Sequence, residues 1–312
     1  MKNSLSHYFC LDMGGTGTRG ALLDIEGNEL GRAQTGAGAL SLGAPRSFEA
    51  IQGIWSKVCG AVGRNPKETK TVHIALGIAG YGLKERRDQL YQLLGDFAGI
   101  TIGGDGYGAL IGATKGAPGA LISVGTGVGA LRLDANGKTL GVSSWGFPAG
   151  DAGGGAWLGL RLFGDFINAL DQIPSDRAIP ETLIAKVLKI TGPGTQDIMG
   201  WQRAARPGDF GRLAPLIVEG AKGGDDYCRH LLAHAARQIC RVAQVLRTPD
   251  SNMIYISGGL GKILLPHCQK SAPDIDWRLS MADPVFGMFL LASGQAPEMQ
   301  LLTRPGLIPR LN

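Results

Sequence analysis

The chain has 312 residues, 44% of them apolar, with a formal net charge of +5. That length exceeds the usual single domain and predicts two, each with a core of its own, while no run of about 18 apolar residues exists to span a membrane. Lys and Arg are scattered without an interleaved aromatic series, which argues against a nucleic-acid groove and for an anionic small molecule.

The opening MKNSLSHYFCLD has no apolar stretch of signal-peptide length, so it reads as a short tail and the expected location is cytoplasmic. Cys10, Cys59, Cys228, Cys240 and Cys268 are odd in number and lack a CxxC pair, which predicts buried free thiols rather than disulfides or a zinc site. Fifty glycines without a period of three imply many turns and backbone-lined loops.

YFCLDMGGTGTRGALLDIEG (8–27) reads as a β-hairpin around a tight Gly-Thr turn, and Glu29 to Thr35 as a third strand. Phe48, Ile51, Trp55, Val58 and Val62 fall at helical spacing, with Pro66 as the expected stop. VHIALGIAG (72–80) is a strand closing in a Gly turn, and Thr101 to Gly104 is another before Asp105. The first half thus reads β, β, β, α, β, α, β. GALISVGTGVGALRLDANG (119–137) then repeats the hairpin, Thr139 to Ser143 extends it, and mostly helical sequence follows, including a helix through Tyr227, Leu231, Leu232, Ile239, Val242 and Leu246. Asn252 to Gly261, with MIYISGGLG, mirrors residues 72–80. Asp283-Pro284 opens a last helix as N-cap and N1, and Gly294 is placed to end it. The second half therefore repeats the first with helices inserted, and the expected domains are 1–117 and 118–312.

Gly14, Gly15, Thr16, Gly17 and Thr18 in one copy, and Gly125, Thr126 and Gly127 in the other, predict two phosphate-binding turns. Their glycines are expected to permit positive φ and to let a ligand approach bare N–H groups. GTGTRG also satisfies GxGxxG, but alternating ALLDIEG follows it where a dinucleotide fold needs a helix, and no GxxxxGK[ST] is present. Asp12 ends the first strand, where it either holds magnesium or caps the turn. Arg19 is either a phosphate contact or a solvated strand residue. Asp105 is either an N-cap or a general base for an attacking hydroxyl. Asp151, in GFPAGDAGGGAWLG, belongs either to a pocket wall for a polar ligand or to a Gly-rich turn beside a core Trp157.

Six segments in order carry a resemblance: Asp12 to Arg19, Gly77-Ile78-Ala79-Gly80, Asp105-Gly106-Tyr107-Gly108-Ala109, Ser123 to Gly127, Gly150-Asp151 through Leu158-Gly159, and Ser257-Gly258-Gly259. Together they resemble the N-acetylglucosamine and glucosamine kinases of the BadF/BadG/BcrA/BcrD type, within the actin, sugar kinase and heat-shock chaperone ATPase superfamily. The resemblance implies an α/β fold of two duplicated ribonuclease H-like domains with a cleft between them that closes over ATP. It implies an ATP-dependent kinase acting on the 6-hydroxyl of an amino sugar, with Asp12 positioning Mg2+ and the two turns gripping the β- and γ-phosphates. Asp105 would be the base, Gly150 and Asp151 would meet the sugar, Gly258 and Gly259 would let the adenosine lie on backbone, and the protein would be a homodimer. The alternative within the same fold is an ATPase or a nucleotide or sugar sensor without kinase activity; redox-driving relatives carry clustered cysteines that this chain lacks.

Three departures bear on the acceptor. Gly150-Asp151-Ala152-Gly153-Gly154-Gly155 stands where the family commonly has Gly-Asp-Glu-Gly-Ser-Gly, Ala39 stands where a sugar-contacting Asn is frequent, and Met13 replaces a usual Gly.

Overall fold

The computed structural model describes residues 5–299 and 302–304. Strands β1 (His7–Met13), β2 (Thr18–Asp24) and β3 (Glu29–Thr35) are followed by α1 (Ala44–Val62), β4 (Val72–Ile78), α2 (Lys84–Leu93), β5 (Gly99–Gly104) and α3 (Asp105–Thr114). This is the order expected of the first half. Next come β6 (Gly119–Val124), β7 (Val128–Leu133) and β8 (Thr139–Ser143), then the helices α4 (Gly155–Leu170), α5 (Glu181–Thr191), α6 (Thr195–Ala204), α7 (Pro207–Gly211), α8 (Ala214–Lys222) and α9 (Asp226–Leu246). The chain continues through β9 (Met253–Ser257), α10 (Gly259–Ser271), β10 (Asp276–Leu279), α11 (Pro284–Ala292) and β11 (Leu302–Thr303). One sheet has the order β3-β2-β1-β4-β5 and the other β10-β9-β6-β7-β8-β11.

Contacts divide the chain into two compact units, one of residues up to 121, 131–140 and from 280 onward, the other of 122–130 and 141–279. The expected boundary at 117/118 leaves α11 with the second half, whereas α11 packs on β1, β4 and α3 in the first unit.

In the first unit β1 lies antiparallel to β2 and parallel to β4, which is parallel to β5. Both faces of β1 are covered, so its sequence reads as a continuous apolar run. Phe9, Leu11 and Met13 join Ile51, Ile54, Trp55 and Val58 of α1 in one core, each large buried side chain contributing about 1.5–3 kcal/mol. The other face carries Tyr8, Cys10 and Asp12, and there Tyr8 meets Phe289 of α11 edge to face at 5.1 Å.

Helix α1 ends at Val62, before the expected stop at Pro66. Gly63 adopts φ 68° and returns its N–H to the Cys59 carbonyl, a left-handed termination that needs no proline. The last helix starts as expected, for the Asp283 carboxylate accepts from the Phe286 N–H at 3.0 Å. All five cysteines are free and buried.

Helices α3 and α11 cross at contact distance because both present glycine. A methyl on Gly287 would overlap the Gly108 carbonyl oxygen, and one on Gly112 would overlap that of Asp283. The adjoining chain is tied to α3 as well, with Met281 N–H donating to Ala113 O (3.2 Å) and Ala282 N–H to Gly112 O (3.1 Å). Gly287→Ala is therefore expected to force the helices apart and to lower unfolding stability by about 1–3 kcal/mol in a urea titration, the usual cost of overpacking. An unchanged midpoint would contradict this packing.

In the second unit α9 is the longest helix among the described residues, capped by Asp225, whose carboxylate accepts from Cys228 N–H at 2.8 Å. Its buried stripe, from Tyr227 and Leu231 through Ala235 to Ile239 and Leu246, follows the helical repeat read in the sequence.

Candidate active site

Register places Asp12 opposite Arg19 on β2 and beside Gly77 on β4. The Arg19 guanidinium closes on one carboxylate oxygen of Asp12, Nε at 2.9 Å and a terminal nitrogen at 2.8 Å. Burial raises the Asp12 carboxyl above the usual carboxylate range, the Arg19 charge and hydrogen bond pull it back, and the charge of Asp283 adds to the rise. Asp105 follows β5 and is the first residue of α3, with Gly104 as the N-cap. Its carboxyl is raised chiefly by burial and further by the charge of Asp12, against the opposing Gly106 amide. Gly77 lies between these strands, and a methyl there would stand 3.6 Å from the Asp105 Cα and 3.3 Å from Met288. Two carboxylates with raised proton affinity thus share the carboxyl end of one sheet, and each is suited to accept a proton.

The first Gly-Thr turn is closed by Gly14 N–H donating to Gly17 O at 2.9 Å, and the second by Gly125 N–H to Gly127 O at 3.0 Å. None of Gly14, Gly15, Gly17, Gly125 and Gly127 has positive φ, so the expected left-handed backbone is corrected. What these glycines supply is room. A methyl on Gly15 or Gly125 would touch nothing within 4 Å, so their surroundings are open to a ligand. Thr16 is exposed, whereas Thr18 is buried with a hydroxyl that finds no partner among the described residues.

In the second unit, Gly155 N–H donates to Gly125 O and Ala156 N–H to Thr126 O, both at 2.8 Å. The turn therefore caps α4, and these first-turn amides are engaged. Asp151 adopts φ 61°, a region that Asp tolerates better than most residues, and a methyl on Gly127 would stand 2.6 Å from its carboxylate oxygen. Asp151 is thus brought to the second turn, and Gly150 is held just before it by a 2.7 Å bond to Gly146 O. Gly258, at φ 86°, packs so closely on the Val124 carbonyl that a side chain would overlap it, while Gly259 has open space. Gly80, shortly after β4, likewise has positive φ, 84°.

The departures are visible too. Met13 is fully buried and points toward Gly38. Gly38 N–H donates to Gly14 O at 3.2 Å and Leu40 N–H to Ala79 O at 2.9 Å, which holds Ala39 beside the first turn with its methyl buried and no polar group to offer. Two contacts escaped the sequence reading. The Asp12–Arg19 pair was legible in principle, since a hairpin pairing 13 with 18 also pairs 12 with 19. The 2.9 Å hydroxyl contact between Ser123 and Ser257, at the ends of β6 and β9, had no local signal.

Among the described residues no cluster of three or more His, Cys, Asp or Glu could hold a metal, and no helix is long and apolar enough to cross a membrane. A magnesium ion that reaches a protein with its phosphates needs only one or two carboxylates, so Asp12 with Asp105 nearby fits such an ion.

Residues 11–264 match the model of the BadF/BadG/BcrA/BcrD ATPase family. Glucosamine kinase GspK of Vibrio cholerae serotype O1 is 29% identical over 259 residues, which cover 83% of this chain and 86% of that protein. The crystal structure of a candidate N-acetylglucosamine kinase from Chromobacterium violaceum superposes with a TM-score of 0.84 at 30% identity, over 92% of this chain and 99% of the other. Another candidate N-acetylglucosamine kinase, from Porphyromonas gingivalis, shares the fold with a TM-score of 0.70 at 16% identity, over 93% and 99% of the two chains. The chain belongs to the BadF/BadG/BcrA/BcrD ATPase family.

Proposed function

We propose that this protein is an ATP-dependent kinase that transfers the γ-phosphoryl group to the 6-hydroxyl of an amino sugar, N-acetylglucosamine or glucosamine. The observation that carries the reading is the placement of Asp105, first residue of α3, at the same end of the sheet as Asp12, where burial raises its carboxyl; a protein similar in sequence over 83% of this chain is a glucosamine kinase. The Asp105 carboxylate accepts the hydroxyl proton as the sugar oxygen bonds to the γ-phosphorus and the bond to the ADP oxygen breaks. Transfer of this kind depends mostly on positioning and on charge neutralisation. The two Gly-Thr turns take the phosphates, with Gly15, Gly17 and Gly127 offering backbone amides, Gly14 and Gly125 closing the turns with theirs, and Thr16, Thr18 and Thr126 adding hydroxyls. Gly258 and Gly259 take the adenosine, and Gly150 and Asp151 the sugar hydroxyls.

Asp12 is the residue that would hold Mg2+, by the same carboxylate that Arg19 pairs with. When bound, the ion neutralises the charge of the β- and γ-phosphate oxygens. The proposal is completed by duplicated sequence halves 1–117 and 118–312, with α11 returning to pack on the first unit, by a homodimer as the resemblance implies, and by a cytoplasmic location.

Asp105→Asn is expected to bind ATP but to lose sugar phosphorylation by about 10²-fold or more, the scale of a positioned base; undiminished turnover would remove Asp105 from the role. In the wild type the rate falls as pH drops through the raised Asp105 pKa, so the acid limb of kcat/KM should lie above the ordinary carboxylate range, and a limb within that range would count against Asp105. The same variant has a stability signature. A raised native pKa means that ionised Asp105 costs stability, a cost absent below the unfolded-state pKa and complete above the native one. Asp105→Asn should accordingly melt higher than wild type at pH 7, with the gap closing toward pH 4. A variant that loses activity and melts lower at pH 7 would make Asp105 a structural residue.

A further inference from the structure

The second unit carries five basic side chains within reach of one another's charge. His230, His234 and Arg237 stand at i, i+4 and i+7 on α9 and so share one face. Beside them, Arg161 of α4 lies with its guanidinium carbon 5.0 Å from the centroid of the Trp157 ring. His234 meets the same ring edge-on at 5.0 Å and 79°, and His230 follows 6.5 Å from His234. Trp157 is therefore a shelf that fixes one guanidinium and one imidazole. The fifth group, Arg177, comes from the connection between α4 and α5. None of Arg161, Arg177 and Arg237 makes an ion pair among the described residues. Asp165, one helical turn after Arg161 on α4, accepts from the Tyr227 hydroxyl at 2.7 Å and forms no ion pair among the described residues.

Gathering like charges is unfavourable unless something neutralises them. Both imidazoles register this: burial first, then Arg177 and Arg237 for His230, and Arg237, Arg161 and His230 for His234, hold them below their ordinary pKa. The cluster is also distinct from the second Gly-Thr turn. Ala156 N–H is committed to that turn, and Arg161 lies five residues further along α4, about 7.5 Å of helical rise.

We infer that this face binds one small phosphate-bearing anion, free phosphate or a phosphate monoester, between Arg161, His234 and Arg237. Guanidinium forks match phosphate oxygens in pairs, a dianion calls for at least two cations, and the patch is too confined for a nucleic-acid strand, which needs a groove with successive stacking aromatics.

The test is calorimetric titration of the full chain with inorganic phosphate and, separately, with glucosamine 6-phosphate, each with and without a non-hydrolysable ATP analogue. The wild type, the double variant Arg161→Gln/His234→Gln and the exposed single variant Arg237→Gln are compared. We expect wild type to bind at least one of the two anions whether or not the analogue is present, and both variants to weaken that binding tenfold or more while catalytic turnover stays within about twofold. Tighter binding of the ester identifies a monoester site, and equal binding a site for the phosphate group alone. No binding of either anion to the wild type, or equal affinity in wild type and variants, would overturn the inference. Because the readout is binding, the result is independent of the kinase reading.

Discussion

The burial of two carboxylates at the ends of strands in one sheet is the constraint on which the charged part of the site depends. Asp12 on β1 and Asp105 after β5 belong to strands separated by β4, and the residue of β4 in register with Asp12 is Gly77. The start of α3 comes within contact distance of Gly77, and Met288 of α11 fills the space alongside. The carboxylates are thereby drawn partly out of water and within reach of each other's charge, which costs stability and raises their affinity for a proton. The glycine contacts of Gly108, Gly112 and Gly287 serve the same end, since α3 keeps its place only if α11 can approach it closely.

The duplication supplied two similar turns, and the copies have since taken different chemistry. Where the first has Leu11-Asp12-Met13-Gly14, the second has Ile122-Ser123-Val124-Gly125. The first copy keeps its acid in an ion pair with Arg19. In the second a neutral hydroxyl pair, Ser123 with Ser257, occupies the strand ends. The first turn therefore has Asp12 at its strand end, whereas the second has the Ser123–Ser257 pair there and meets a carboxylate, that of Asp151, only at Gly127.

Much of this was legible in the sequence because the signals are local. Hairpin turns, the β, β, β, α, β, α, β order, the Asp283 cap and the α9 stripe follow from periodicity and capping. What escaped depends on contacts far apart in sequence. α11 lies more than 150 residues from the strands and helix it covers, so nothing near Pro284 says that it packs with the first unit. The short strand Asp276–Leu279 (DWRL) is formed by parallel pairing with β9 rather than by its own pattern. The Gly-Thr glycines were expected to permit positive φ, but none of them adopts it, and what Gly15 and Gly125 provide is open space. Asp105 proved to open its helix from inside the first turn instead of capping it, which composition cannot distinguish. The acceptor is the least legible part, because Ala39 and Ala152 offer no polar group at the places where the resemblance implies that a sugar would be read.

The central claim is that this family member moves phosphate to an amino sugar. ADP release should be followed with protein, Mg2+ and ATP in the presence of glucosamine, N-acetylglucosamine, glucose or no sugar. The account predicts ADP production that depends on one of the two amino sugars, with one sugar phosphate formed for each ADP. ADP release at the same rate without sugar, or none with any sugar, would contradict it.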